Sequence, residues 1–372
     1  MPGGRPLLPA LPEPGRSGPA DPSHPPTRPD PLGPADPSHP ADPLGPSDLA
    51  EVRRRFGEHP GLAAKAELAI VADVLGATDW IGGPGDDAAV VAGMGDGGTG
   101  GRVVVAGEAI LPALAAADPF GAGVAAIVAN VNDIAATGGT TLAIVDTVVG
   151  PAPVARQVLE GMAFAAGLYG VPIVGGHLTV TDVAPSVSAF AVGRADVVLS
   201  ATAVREGQVL LVAACLEGEL RADFPFFSSI RSRGSALAGD VAVLPELAGS
   251  GAAVASKDVS MAGLLGSLAM LLEPTRCGAC VDLAAIPRPV GVAIADWTAA
   301  YLSYGFLLCA EPKRAAECEE AFHVRNLACA RVGTIDGSGR LAVSLGDEEA
   351  VLLDVAGRGV THLGTASDPR RR

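Results

Sequence analysis

Aromatic side chains make up only 4% of this 372-residue chain, so its core must be built from Ala, Val, Leu and Ile. Basic residues are also scarce: 26 Lys and Arg against 41 Asp and Glu leave a net charge of −15. That balance excludes the clustered positive surface on which sequence-independent binding to nucleic-acid phosphates depends. Cysteine is limited to Cys215, Cys277, Cys280, Cys309, Cys318 and Cys329, too scattered to staple a chain of this size, so reduced thiols are expected. No uninterrupted apolar run approaches the roughly 20 residues of a membrane-spanning helix, and the N-terminus lacks the basic-then-apolar layout of a secretory signal. No G-x-x-x-x-G-K-S/T phosphate loop occurs, so any nucleotide is held another way. Together these absences predict an acidic cytoplasmic enzyme with neither a nucleic-acid nor a membrane partner.

What is present begins with a proline-rich arm. Residues 1–48 hold 16 of the 31 prolines and repeat Ala-Asp-Pro-Ser-His-Pro at 20–25 and 35–40, a composition that cannot bury a core and predicts disorder. His24 and His39 recur inside this repeat without metal-ligand geometry. A helical segment is expected over 49–76, followed by strands alternating with helices. The clearest helix has Asp118 as N-cap, Pro119 at its first position and a stop at Gly138-Gly139. Strands are expected over 102–109, 141–149, 171–174 and 186–192, with a second helix over 154–169. A seam over 196–207 precedes a second run: strands at 208–215 and 252–257, a helix over 261–272 capped by Ser260, strands at 281–283 and 304–309, a helix over 312–322 and a final strand pair. The predicted fold class is α/β in two domains, 49–200 and 201–360, with a flexible tail at 361–372.

Two motifs fail their structural context. The bare G-x-G-x-x-G at 93–98 lies between two expected strands, whereas a dinucleotide fingerprint follows a strand and opens a helix; a flexible hairpin loop is expected instead. Cys277-Gly278-Ala279-Cys280 has the spacing of a zinc knuckle or a redox pair, but it lacks a second pair and follows a helix. A small-residue turn is expected there, with His323 and Cys318 the only auxiliary ligands available.

The chemistry-bearing stretch is Gly85-Asp86-Asp87-Ala88-Ala89-Val90, two adjacent carboxylates on a glycine turn. Hard divalent cations such as Mg²⁺ are held by one or two such carboxylates together with substrate phosphates, and an ordinary surface turn is the alternative. Asn130 and Asp133 share one face of the capped helix. Ile127, Val128, Val131 and Ile134 make that helix apolar all round, so Asp133 is expected to be buried and to need a cation or a donor network. Gly175-Gly176-His177 follows the strand expected at 171–174, where α/β folds place ligand-binding groups. Asp258 falls between a strand and a helix, near the positive helix end.

Taken in order, GDDAAV at 85, NDIAATGG at 132, VPIVGGH at 171, SKDVSMAGLLG at 256 and SYGFLL at 303 resemble the signatures of the AIR synthase superfamily. That superfamily includes aminoimidazole ribonucleotide synthase, thiamine-monophosphate kinase, selenophosphate synthase and the hydrogenase-maturation carbamoyl dehydratase. DFPFF at 223 and DLAAIPRP at 282 resemble its stand-alone AIR synthase-related proteins in particular. The resemblance spans roughly 49–357. It implies a PurM-like fold: an N-terminal domain whose strands join those of a second subunit in a barrel, making a homodimer with ATP at the interface, and a C-terminal α/β sandwich domain that covers the site. It also implies ATP and Mg²⁺ as cofactors, with Asp86, Asp87 and Asp133 as metal ligands and Glu108 as a further acidic candidate. Asp133 and Asp258 would be catalytic, and Gly85, Lys65, Asn130, Asn132, Gly176 and His177 would line the nucleotide pocket.

The activity so implied is Mg²⁺-dependent transfer of the ATP γ-phosphate to an oxygen of a small substrate, as a kinase or to activate an amide or carbonyl. The alternative is a non-catalytic nucleotide-binding subunit of a metabolic complex; a nicotinamide oxidoreductase survives only on the 93–98 pattern. Departures from the relatives narrow the choice. Selenophosphate synthase relies on an N-terminal cysteine or selenocysteine, whereas the first cysteine here is Cys215, and the chain ends Asp-Pro-Arg-Arg-Arg where the carbamoyl dehydratase has a reactive cysteine. His177 stands where thiamine-monophosphate kinase has an Asp, and Leu178 where many relatives have Thr or Ser.

Overall fold

Local signals set the longest helices. Asp118 accepts a hydrogen bond from the Gly121 N–H at 2.9 Å and Pro119 opens the helix, which ends where Gly138 takes a left-handed conformation. The computed structural model describes residues 43–75, 86–91, 101–222 and 224–363, with Ala72 described by its backbone alone. Gly85, the 93–98 pattern and residues 1–42 of the proline-rich arm lie outside the described residues.

The single helical segment expected over 49–76 is instead three helices, α1 (Pro46–Glu58), α2 (Pro60–Ala66) and α3 (Ala69–Leu75). Pro60 disfavours helical backbone at the residue before it, and His59 is extended (φ −66°, ψ 117°), which separates α1 from α2. α1 also begins inside the stretch assigned to the arm, because the Asp48 carboxylate accepts the Gly45 N–H at 2.8 Å and caps the helix.

The chain continues through β1 (Ala89–Val91), β2 (Arg102–Ile110), α4 (Pro112–Ala117), α5 (Pro119–Ala136), β3 (Thr140–Gly150), α6 (Ala152–Tyr169), β4 (Ile173–Val180) and β5 (Ser186–Ala195). The strands form one sheet in the order β1-β2-β5-β3-β4, parallel only between β3 and β4, which α6 connects. Val104, Ala106, Ile144, Ala189 and Ala191 alternate onto the face covered by α5 and α6. These two helices pack backbone against backbone: a Cβ at Gly123 would overlap the Val158 carbonyl, and one at Gly161 the Phe120 carbonyl. The opposite face leaves Val91, Val145, Phe190 and Val192 exposed. β4 runs on to Val180, so Gly176 and His177 lie inside an edge strand and not at its end.

Residues 196–208 lead into the second run of elements. These are β6 (Val209–Ala214), β7 (Glu219–Leu220), β8 (Phe226–Ser228), α7 (Ile230–Arg233), α8 (Leu237–Val241), α9 (Val243–Ser250), β9 (Ala255–Asp258) and α10 (Gly263–Leu272). They continue with β10 (Gly278–Asp282), α11 (Ile294–Ala299), β11 (Tyr301–Leu302), β12 (Gly305–Ala310), α12 (Ala315–His323), β13 (Ala328–Asp336), β14 (Arg340–Leu345) and β15 (Glu348–Asp354). Seven strands form a mixed sheet, β15-β14-β10-β13-β6-β12-β9, and β11-β8-β7 a small one. One core joins the helix-covered face of the first sheet to Leu211, Ala213, Phe306 and Leu308 of the second; another lies under α1 and α10. The result is a mixed two-domain fold of α and β layers, with α5 between the two large sheets. By length and composition α5 is apolar enough to cross a membrane, but 72% of it is buried within this core.

Three further expectations are corrected. Ser260 does not cap α10: the turn passes through Ala262 (φ 88°) and Gly263 (φ 68°), and the Ser260 N–H donates to Ser267 Oγ. Cys280 lies within β10, all six cysteines are free, and His323 bonds the Cys329 carbonyl, so no turn and no thiol site forms at 277–280. The tail does not loosen at 361, because the N–H groups of Val360, Thr361 and His362 all donate to the Glu273 carboxylate.

Candidate functional site

Three elements deliver acidic side chains to one point. The turn before β1 brings Asp87, the last turns of α5 bring Asp133, the end of β9 brings Asp258, and carboxylate oxygens of these three lie within 4.8 Å of one another. Asp133 and Asp258 are 5% and 1% exposed, too buried to be solvated individually. The buried Lys257, beside Asp258 on β9, donates to Asp87 and lies 3.9 Å from Asp258. Asp87 also accepts the Asp258 N–H at 2.8 Å, which locks the β1 turn onto β9.

The electrostatics follow from this crowding. Burial and then the Asp87 charge push Asp258 up to about 8. Burial, with Asp258, Glu108 and Asp87 around it, raises Asp133 well above the usual carboxylate range. Burial would lower the Lys257 ammonium, but Asp87 and Asp258 outweigh it and hold it above its ordinary value. Glu108, on the cleft wall, is raised by the protein that crowds its carboxyl while Lys65 pulls it down. Ionised together, three carboxylates would carry more negative charge than one lysine can neutralise, and the protein holds Asp133 and Asp258 toward their protonated forms.

This cluster closes one end of a cleft of about 1690 Å³ between the domains. Lys65 of α2, Glu108 of β2, Asp133 and Asp258 all line it. The Asp258 Oδ1 atom is buried without a hydrogen-bond partner, an orphaned hard donor of the kind a divalent cation completes. The donor set is one that a hard divalent cation would fit, and Asp87, Asp133 and Asp258 are the residues that would hold it.

The structure does not bring every expected residue here. Asp86 turns away and accepts from Ser200 Oγ at 2.7 Å and the Ala201 N–H at 2.6 Å, fastening the β1 turn to the segment between domains; burial pushes it up to about 6. Asn130 donates to the carbonyls of Ala126 and Ala189 and so ties α5 to β5, facing the sheet and not the cleft. Asn132 donates to the Ser303 carbonyl of the second domain at 3.1 Å. Gly176 and His177 sit opposite Asp146 and Thr147 on the far edge strand, away from the acidic cluster. Lys257 and the Tyr301 hydroxyl, which is buried, unpartnered and part of the cleft wall, were not anticipated. A lysine inside an otherwise apolar strand, followed by Asp258, was the available signal for the first.

Comparison with known proteins agrees with this architecture. Models of the AIR synthase related protein match the chain, the N-terminal domain over residues 85–195 and the C-terminal domain over 198–346. An uncharacterized protein of Synechocystis sp., sll0787, is 32% identical over 258 residues, covering 68% of this chain and 80% of its own. Among solved structures, T. maritima PurL complexed with AMPPCP superimposes with a TM-score of 0.59 at 20% identity over 68% of this chain; the chain spans 44% of that protein's length. AaThiL complexed with AMPPCP and TMP superimposes with a TM-score of 0.57 at 17% identity, covering 76% of this chain and 93% of its own.

Proposed function

The chain belongs to the AIR synthase related family, and on that premise we propose that its interdomain cleft binds ATP with Mg²⁺ and directs the γ-phosphoryl group to an oxygen of a small molecule. The observation that carries this reading is the buried trio Asp87, Asp133 and Asp258 with its orphaned oxygen, opening onto a cleft large enough for a nucleotide and a second ligand. Phosphoryl transfer asks the protein for charge neutralisation and positioning more than for covalent chemistry. When bound, the metal would neutralise charge on the phosphate oxygens.

The chain's own residues supply the rest. Lys257 balances Asp87 and keeps the trio assembled, Lys65 offers a second positive charge along the cleft, and Glu108 bounds the cluster on the β2 side. Structural neighbours solved with ATP analogues support the nucleotide. The exposed row Val91, Val145, Phe190 and Val192 supports a homodimer closed through the first sheet, which sedimentation would register as twice the monomer mass.

Calorimetric titration of ATP with and without Mg²⁺ tests the site. Binding should require Mg²⁺ and vanish in Asp133→Asn, a near-isosteric change that leaves the fold in place; equal affinity in the variant would remove Asp133 from the site and the reading with it.

A further inference from the structure

The cleft has two chemically distinct ends. Asp118, Gly121, Ala125, Ala129 and Asp133 line it at steps of three and four along α5, one continuous helix face. Fifteen residues at 1.5 Å each separate Asp118 from Asp133, so the cleft floor runs for about 22 Å beyond the carboxylates. Its far end is aromatic and carries both signs of charge, Arg221 and Arg231 beside Asp118, Glu217 and Glu219. Phe120 and Phe164 meet with ring centroids 5.7 Å apart, and the Arg231 guanidinium of α7 lies 5.5 Å above the Phe164 ring. Nearby, Arg221 is paired with Asp118 at 2.6 Å, whereas Arg231 has no ion pair or hydrogen bond among the described residues. On the facing wall Phe226 stacks on Tyr301 at 5.1 Å, and the Tyr301 hydroxyl is the buried, unpartnered group already noted.

We propose that the stretch between Tyr301 and Arg231 is the acceptor subsite and that it takes a planar, largely apolar small molecule carrying a carboxylate or phosphate, with Arg231 binding the anion. The identification as acceptor rests on the phosphoryl-transfer reading; the ligand chemistry does not. Aromatic walls from both domains select a flat apolar body. Stacking on Phe164 orients the guanidinium but leaves its five N–H donors free, and a planar fork of donors is matched by a planar or tetrahedral oxyanion. The Tyr301 hydroxyl, left unsatisfied at the carboxylate end, gains a partner when a polar substituent of the ligand points toward the cluster.

Ligand-observed NMR on the full chain, with divalent cations chelated and ATP omitted, tests this with three probes: phenyl phosphate, benzoate and neutral benzyl alcohol. At least one anionic probe should bind ten-fold or more tightly than benzyl alcohol, and which of the two does so identifies the group. Arg231→Met, a change at an exposed side chain, should bring the preference below two-fold, and Arg231→Lys should restore part of it. Asp133→Asn should keep the preference intact. Absence of an anion preference in the parent chain, or its survival in Arg231→Met, overturns the proposal. An intact preference in a parent chain that itself fails to bind Mg-ATP would sink the phosphoryl-transfer reading and leave the anion subsite standing.

Discussion

Replacing Lys257 by Met keeps the length of the side chain in β9 and removes the one ammonium that the carboxylate trio shares. The side chain is 8% exposed and those of its partners Asp87 and Asp258 4% and 2%, so water cannot re-solvate the charges left behind. Breaking a buried pair by removing one partner costs about 3–5 kcal/mol, because the remaining charge is stranded. At about 2 °C per kcal/mol for a chain of this size, the melting temperature should fall by roughly 6–10 °C at pH 7.5 in chelator. Two manipulations should change the loss in opposite directions. Raising the pH from 7.5 to 9 ionises the Asp258 carboxyl, which stands at about 8, and adds a second stranded charge, so the gap between variant and parent should widen. Mg²⁺ should rescue the variant more than the parent, since a cation then serves the charge that Lys257 no longer does; saturation at 100 times the dissociation constant stabilises by about 2.7 kcal/mol. Scanning calorimetry across pH and Mg²⁺ concentration provides all the readings. A variant that melts within about 1 °C of the parent, or a loss that stays constant from pH 7.5 to 9, would refute the shared-charge account.

Asp258 gives a second pH test. Its carboxyl is raised from 3.8 to about 8, so the folded state favours the protonated form: this group's stabilisation is complete below about pH 4 and lost as pH rises through 8. Metal-free protein should therefore lose thermal stability between pH 5 and 8, and Mg²⁺ binding at pH 7 should release protons, read from calorimetric heats in buffers of different ionisation enthalpy; zero release contradicts the assignment. Asp86→Ala should destabilise by about 2 kcal/mol in urea unfolding through two lost acceptors, yet change Mg²⁺ affinity less than two-fold. A ten-fold affinity loss would return Asp86 to the ligand set. Glu273→Gln should free residues 360–362 to proteases while the core remains protected, and unchanged cleavage there would show that the carboxylate does not hold the tail.

Much of the architecture was legible because it is written in local chemistry. The Asp118-Pro119 start and Gly138-Gly139 stop fixed α5, and alternating small and apolar residues marked β5. The breaks that failed are those where one residue overrides a pattern: Pro60 divides an apparently continuous helix, and the left-handed pair Ala262 and Gly263 delays α10 past its obvious serine. For the site, motif order pointed to Asp87, Asp133 and Asp258, but adjacency in sequence could not say which of Asp86 and Asp87 faces the cluster. Neighbouring residues at the start of a strand point to opposite sides, and only the position of Ser200 decides the matter. His177 illustrates the converse limit: its placement depends on β4 running three residues beyond it, a property of pairing with β3 that no short motif encodes.

The helix at the centre of the fold is pinned at both ends of the cleft it floors. Asp118 grips Arg221 at one end, while at the other Asn132 holds the Ser303 carbonyl and Asp87 engages Lys257 and Asp258 across the same divide. A molecule braced this way behaves as a portal frame, with α5 as its sill and the second domain as its lintel. Swinging the domains apart like jaws would break both posts at once, the buried one alone at a cost of several kcal/mol. Ligands would then enter and leave by the mouth of the cleft with both posts in place.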